Sequence, residues 1–311
     1  MIRTYPMKIV KRYDGNPIIT KEDIPFPCNT VFNAGAVKHR GEYILLLRVE
    51  TLEGRSVLVI ARSKDGYRFE VEEEPALAPS TEEPFRRYEE KGVEDPRITL
   101  LDGKYYIFYT AYSSYGPRIG LAVTRDFEDF KRLGFVSQPP NKDAVLFPKK
   151  FKGMYARLDR PTAPEAMGIW ISYSKDLIYW GRSEMVMEPR PGFWDSLKIG
   201  AGAPPIETDE GWLEIYHGVK TTAAGSIYRL GAALLDREDP SKVVGRSFIP
   251  ILSPSELYER TGDVPNVVFC CGAILESNLS EVKIYYGAAD TSICVGSASL
   301  KDLVESCHPP R

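Results

Sequence analysis

Residues 97–133 read RITLLDGKYYIFYTAYSSYGPRIGLAVTRDFEDFKRL. Arg97–Leu101 and Tyr105–Tyr112 flank the turn pair Asp102-Gly103, and Ile119–Thr124 leads through Arg125-Asp126 into Phe130–Leu133. Segments of this length, rich in Ile, Val, Tyr and Phe and punctuated by Gly and Asp, read as four short antiparallel strands in succession. The same grammar recurs on both sides. Upstream, Val31–Lys38 and Tyr43–Val49 flank Arg40-Gly41, and Val57–Arg62 runs through Ser63-Lys64-Asp65-Gly66 into Tyr67–Val71. Downstream, Ala144–Phe147 and Tyr155–Asp159 flank Lys152-Gly153, and Ile169–Tyr173 runs through Ser174-Lys175-Asp176 into Ile178–Gly181. A fourth unit sets Ala203–Glu207 and Trp212–His217 about Glu210-Gly211, followed by Tyr228–Leu235. A fifth sets Val267–Leu275 against Val282–Ala288, then Ser292–Ser297 and Leu300-Lys301-Asp302.

The repeat is about 50–60 residues, a blade-like period. Five units use up the 311 residues. The expectation is an all-β fold, a five-bladed β-propeller, with residues 1–311 as one domain. Such a fold leaves only short, protected strand edges. The one helical segment expected is a turn or two within Pro254–Arg260.

Bulk properties narrow the partners. The chain is 43% hydrophobic and 27% charged, with a formal net charge of -3. That balance gives no general attraction for nucleic acid or an anionic membrane, so any anion site must be local. The start, MIRTYPMKIVKRYDG, lacks the apolar core of a signal peptide, and the apolar runs Tyr43–Leu47 and Val267–Leu275 are too short to cross a bilayer. Five cysteines without paired spacing suit reduced thiols in a cytoplasm. Three histidines, with no HExxH or CxxC, argue against a transition-metal site. The arm at Met1–Ile24 could mediate homo-oligomer contacts or complete a blade.

In a propeller the innermost strands line a central channel, so polar residues on the first two strands of each unit converge there. Unit one supplies Asn33 and Arg48; unit two Glu94, Asp95 and Arg97; unit three Lys142, Asp143 and Arg160. Unit four supplies Lys198, His217 and Tyr228, and unit five Tyr286 and Asp290. A water-filled structural channel is the plain alternative, although charges buried without a use are costly. Pro96 restricts Asp95 and removes an amide donor, which presents that carboxylate at a fixed angle. An Asp bonded to its own turn is equally compatible with the local sequence. Arg48, Lys142, Arg160, Lys198 and His217 form a cationic set that a phosphate would satisfy; pairing with Glu94, Asp143 or Asp195 is the alternative. Tyr109, Tyr112, Trp194, Tyr228, Phe269 and Tyr286 could offer sugar platforms, or could each be core.

The chain resembles glycoside hydrolase family 130, the β-mannoside phosphorylases. The resemblance rests on Phe32-Asn33-Ala34-Gly35, Gly92–Arg97, Leu158-Asp159-Arg160-Pro161, Lys198–Pro205, Tyr216-His217-Gly218 and Tyr286–Asp290, in this order along nearly the whole chain. It implies Asp95 as the catalytic acid, and Asn33, Arg48 and Asp290 as contacts to the mannosyl unit being cleaved. Arg160, Lys198 and His217 are implied as phosphate ligands, with Lys142 as a fourth. Tyr228 and Phe269 would shape the acceptor side. The implied reaction uses inorganic phosphate as co-substrate and no cofactor. It converts a β-mannoside, such as a β-1,4-mannooligosaccharide or mannosyl-N-acetylglucosamine, into α-mannose 1-phosphate with inversion. An inverting glycosidase needs both an acid and a base; phosphate is already a nucleophile, so one acid suffices. The competing expectations are a mannoside hydrolase on the same fold, an arabinosidase or xylosidase using Glu94 and Asp143, and a non-catalytic carbohydrate-binding propeller.

Overall fold

The structure, a computed structural model, describes residues 8–164 and 167–308. It is all-β. Two short strands, β1 (Lys11–Arg12) and β2 (Ile19–Thr20), precede the first unit. Unit one comprises β3 (Cys28–His39), β4 (Glu42–Thr51), β5 (Ser56–Ser63) and β6 (Glu70–Leu77). Unit two comprises β7 (Gly92–Leu101), β8 (Lys104–Tyr112), β9 (Arg118–Thr124) and β10 (Lys131–Phe135). Unit three comprises β11 (Asn141–Phe151), β12 (Met154–Pro161), β13 (Ile169–Ser174) and β14 (Trp180–Met187). Unit four holds β15 (Lys198–Ala201), β16 (Ile206–Thr208), β17 (Gly211–Thr222), β18 (Gly225–Leu235) and β19 (Val243–Arg246). Unit five holds β20 (Val268–Leu275), β21 (Glu281–Ala288) and β22 (Ser292–Ser299).

Within units the pairing is an antiparallel meander. Units one and two share one sheet through a single parallel bridge, Ser56 to Gly92. No sheet closes on itself among the described residues; the units meet through side chains instead. Five apolar clusters fill the spaces between them. Leu46, Leu58 and Ile60 of unit one pack with Ile98 and Ile107 of unit two. Phe108 and Leu121 of unit two pack with Leu146 of unit three. Val145 and Leu158 meet Trp212 and Tyr216 of unit four. Leu213 and Leu230 meet Val268 and Ile284 of unit five. Ile274 and Tyr285 of unit five return to Val31 and Leu45 of unit one.

The N-terminal segment supplies the missing fourth strand of the last unit. β1 pairs with β22, Lys11 opposite Ser297, and β2 pairs with it further along, Ile19 opposite Ile293. The first seven residues of the arm lie outside the described residues. Three expectations are corrected. The fourth strands of units one and three run later than expected, because Asp65 and Asp176 cap the preceding turns by accepting two backbone amides each. Ala203–Glu207 is not one strand: the pairing breaks between Ala201 and Ile206, where Pro204 and Pro205 have no amide to donate. Leu300-Lys301-Asp302 opens a helix, α1 (Leu300–Ser306), with Ser299 as its N-cap accepting from the Asp302 amide.

Candidate active site

Four of the five first strands are interrupted by a break in register. In β3 the register jumps between Phe32 and Gly35, in β7 between Glu94 and Arg97, in β11 between Lys142 and Val145, and in β20 between Cys270 and Gly272. Three of the bulged residues, Asn33, Asp95 and Asp143, have φ of 51°, 49° and 57°. Asn and Asp tolerate this left-handed region better than other side-chain-bearing residues. Bulges re-aim side chains. Asp95 is therefore not a turn residue bonded to itself: it lies inside β7 and its carboxylate binds unit one.

Asn33 Nδ2 donates to Asp95 Oδ1 at 2.9 Å, and Arg48 Nη1 donates to the same oxygen at 2.9 Å. Arg48 also reaches Glu94 through Nη2 (2.8 Å) and Ser56 Oγ through Nε (2.9 Å). Asn33 is crowded into place: a Cβ on Gly287 would lie 2.3 Å from its Oδ1. Burial drives the Asp95 carboxyl upward, but Arg48, Lys142, Arg97 and the Asn33 bond outweigh it, so the group sits below its ordinary range. Asp290 goes the other way. Burial, reinforced by the Asp95 charge and only partly offset by Arg48, pushes it up to about 7. Burial also raises Glu94.

Arg97 ties this acidic side to the basic side. Fully buried, it donates to the Asp95 carbonyl (2.9 Å), Asp143 Oδ1 (3.2 Å), the Gly202 carbonyl (3.1 Å) and the Ala201 carbonyl (3.2 Å). The other oxygen of Asp143 takes Arg160, Nε at 2.9 Å and Nη2 at 2.7 Å. Burial opposes the Asp143 charge, yet the guanidiniums of Arg160 and Arg97 hold it well below the carboxylate range. His217 Nε2 lies 3.6 Å from Asp143 Oδ2, too far for a hydrogen bond. Its ring packs on Phe269 (4.5 Å between centroids) and Tyr228 (6.3 Å), and both ring nitrogens are buried without a partner. Lys198 Nζ stands 5.4 Å from the Tyr228 ring centre. A Cβ on Gly200 would strike His217 Cε1 at 2.5 Å and Asp143 Oδ2 at 2.6 Å, so only glycine allows this approach.

The ten residues to which the family resemblance gives roles fall in or beside this network, with corrections. His217 is not a cation. Burial, helped by Arg160, Arg97 and Lys198 and opposed by Asp143, pushes it down to about 3, so it offers one N–H and one lone pair. Arg160 and Arg48 are paired with acids, as the alternative reading held, though Asp143 serves two guanidiniums at once. Lys142 and Lys198 have no carboxylate at ion-pair distance among the described residues, while Lys142 still acts on Asp95 and Asp143 through its field. Asp195 belongs elsewhere, with Arg190 and Arg246. Of the six aromatics named from sequence, Tyr228 and Phe269 pack against the His217 ring. Tyr109 donates to Glu89, Tyr286 to Glu259, and Trp194 stacks on Tyr216.

One supporting residue escaped sequence reading. Glu214, in the middle of β17, is fully buried, and its Oε1 accepts the Gly202 amide at 2.9 Å. Burial raises its carboxyl well above the ordinary range. It braces the same loop whose carbonyls anchor Arg97. Nothing in its strand-like surroundings distinguishes it from a solvent-facing Glu. No metal-binding group of His, Cys, Asp and Glu occurs among the described residues, and no described helix is long and apolar enough to cross a membrane.

Comparison with known proteins gives the family. A family model described as beta-1,4-mannooligosaccharide phosphorylase, glycoside hydrolase family 130, matches residues 2–309. The chain is 38% identical to a 1,2-beta-oligomannan phosphorylase of Thermoanaerobacter sp. (strain X514), covering 94% of this chain and 98% of that protein. It is 34% identical to a beta-1,4-mannooligosaccharide phosphorylase of Ruminococcus albus, covering 96% and 90%. The solved beta-1,2-mannobiose phosphorylase from Listeria innocua, in complex with beta-1,2-mannobiose, superposes with a TM-score of 0.87 at 34% identity, over 96% of this chain and 99% of that one. The chain is thus an all-β carbohydrate-active enzyme. It belongs to glycoside hydrolase family 130, whose named relatives here are mannoside phosphorylases.

Proposed function

We propose that this protein is a β-mannoside phosphorylase, a single-domain five-bladed propeller whose bulged inner strands build the reaction centre. The five inter-unit clusters, with the last returning to unit one, support the propeller. The observation that carries the activity is the unsatisfied basic side. His217 is buried with both nitrogens unpaired, and Lys142 and Lys198 lack carboxylate partners among the described residues. A phosphate with several acceptor oxygens would satisfy all three at once.

In this reading Asn33, Arg48 and Asp290 hold the mannosyl unit, and Tyr228 and Phe269 flank the acceptor. Arg160, Lys198, His217 and Lys142 hold phosphate. A phosphate oxygen attacks the anomeric carbon from the face opposite the glycosidic bond. That bond breaks, and the leaving oxygen takes a proton from Asp95, relayed through a mannose hydroxyl. The product is α-mannose 1-phosphate, with inversion. Asp95 must be protonated to act, yet the cations around it favour its ionised form. Phosphate placed beside Lys142 would cancel part of that field and raise the Asp95 pKa, so the nucleophile would help arm the acid. A hydrolase would need a free base. Glu94 and Asp143, the nearest candidates, are occupied by Arg48 and by Arg97 and Arg160. The five unpaired thiols suit a reducing, cytoplasmic setting.

The reaction run in reverse tests this and resolves linkage and acceptor. α-Mannose 1-phosphate is incubated with mannose, β-1,2- and β-1,4-mannobiose, glucose and N-acetylglucosamine, and released phosphate is measured. Release is expected with at least one mannose-containing acceptor. No release with any acceptor from a folded protein would remove the proposal.

A further inference from the structure

Units two and three part along their outer halves into a cleft of about 650 Å³, within the range of ligand-binding pockets. Its lining shares no residue with the reaction centre. Along β12 side chains alternate: Arg160 points to Asp143 and the centre, whereas Arg157 and Asp159 line the cleft. Arg157 and Asp159 are 3% and 2% exposed, and Arg157 Nε donates to Asp159 Oδ2 at 2.9 Å. Such a buried pair is often no better for stability than apolar residues of the same volume. Neither member has a part in the chemistry above, although Asp159 lies in one of the segments that carry the family resemblance.

The rest of the lining explains what could use the pair. Trp170 and Ser172 share one face of β13, and Ser172 is hydrogen-bonded to Ser183 of β14 at 3.0 Å. Trp180 lies opposite Ser174, four residues further along β13 from Trp170, or roughly 13 Å at the rise of a strand. Tyr179, 80% exposed, stands at the end of this row. The Arg157 guanidinium covers the Trp180 ring at 4.4 Å. Aromatic walls with interleaved hydroxyls and a planar ion pair suit the apolar faces and paired hydroxyls of pyranose rings. The charges that line the cleft are already committed. Arg157 is paired, and Arg118 lies over the Tyr88 and Phe135 rings and donates to the Ser137 carbonyl at 3.1 Å. The ligand that fits is therefore neutral and rich in hydroxyls, neither a phosphate nor a nucleic acid.

We propose that this cleft is a second carbohydrate site, which holds a neutral oligomannoside chain away from the reacting bond. Its ligand class rests on the mannoside reading given above. Its effect is to favour long chains over disaccharides by raising their local concentration at the enzyme.

Tyr179→Ala and Ser183→Trp, both at exposed positions, test it; the first removes a wall and the second fills the cleft. β-1,2- and β-1,4-mannotetraose and the matching mannobioses are titrated calorimetrically into each protein without phosphate, and phosphorolysis of each sugar is then measured. The wild type is expected to bind one of the tetraoses at two sites and each variant at one. The variants should lose about fivefold in kcat/KM on that tetraose and keep the wild-type value on mannobiose. A single tetraose site in the wild type, or variants that still bind two, would overturn the proposal. A wild type that binds two tetraoses but cleaves no mannobiose with phosphate would support the second site while defeating the functional reading.

Discussion

Asp290 is pushed toward its protonated form and Asp95 away from it: Arg48 donates directly to Asp95, whereas it only partly offsets the burial of Asp290. Burial and the neighbouring Asp95 charge push Asp290 up to about 7. Its folded-state pKa lies above the ordinary aspartate value, so folding favours the protonated form. That contribution is full below about pH 4, declines as pH rises and is gone above about 7. Asp290→Asn removes the titration. Relative to the wild type, this variant should gain stability between pH 4.5 and pH 8 by on the order of 2 kcal/mol, a value reduced to allow for solvent screening. Urea midpoints at the two pH values measure it. A difference that stays constant with pH would show that Asp290 titrates normally.

The bulge is the element that makes the site. A regular strand would alternate Glu94, Asp95, Pro96 and Arg97 across two faces; the bulge in β7 lets Arg48 reach the carboxylates of both Glu94 and Asp95. Arg97 then fixes the bulge by its carbonyl contact to Asp95 while gripping Asp143 and the broken strand of unit four. Lysine keeps the charge but cannot serve four acceptors in a plane. Arg97→Lys should therefore lower kcat about 100-fold, through misplacement of Asp95, with KM for phosphate and sugar changed less than threefold. Equal losses in kcat and in substrate affinity would instead indicate general damage to the pocket.

Much at this scale was legible in the sequence. Gly-Asp turns and alternating strands located five units, and polar residues that interrupt them, such as Asn33, Asp95 and Lys198, lie in or beside one connected network. What escaped depended on partners distant in the chain. Tyr286 reads as a channel residue until the structure gives it Glu259. His217 reads as a cation until burial is known. Glu214 reads as a surface carboxylate until Gly202 is found above it. Strand breaks are local and visible; the pairing of buried charges is not.

At the scale of the whole molecule, a chain with a formal charge of -3 gathers positive charge at its centre. Arg97 and Arg160 share Asp143, while Lys142 and Lys198 have no carboxylate at ion-pair distance among the described residues. The N-terminal segment completes the last unit by pairing β1 and β2 with β22, so the beginning of the chain helps to hold the end. The central claim is that the positive interior exists to bind the nucleophile. Phosphorus-31 NMR of β-1,4- and β-1,2-mannobiose cleavage, with and without inorganic phosphate, measures this most directly. The account predicts α-mannose 1-phosphate in equal amount to the disaccharide consumed, and negligible cleavage without phosphate. Free mannose appearing at the same rate in both conditions would contradict it.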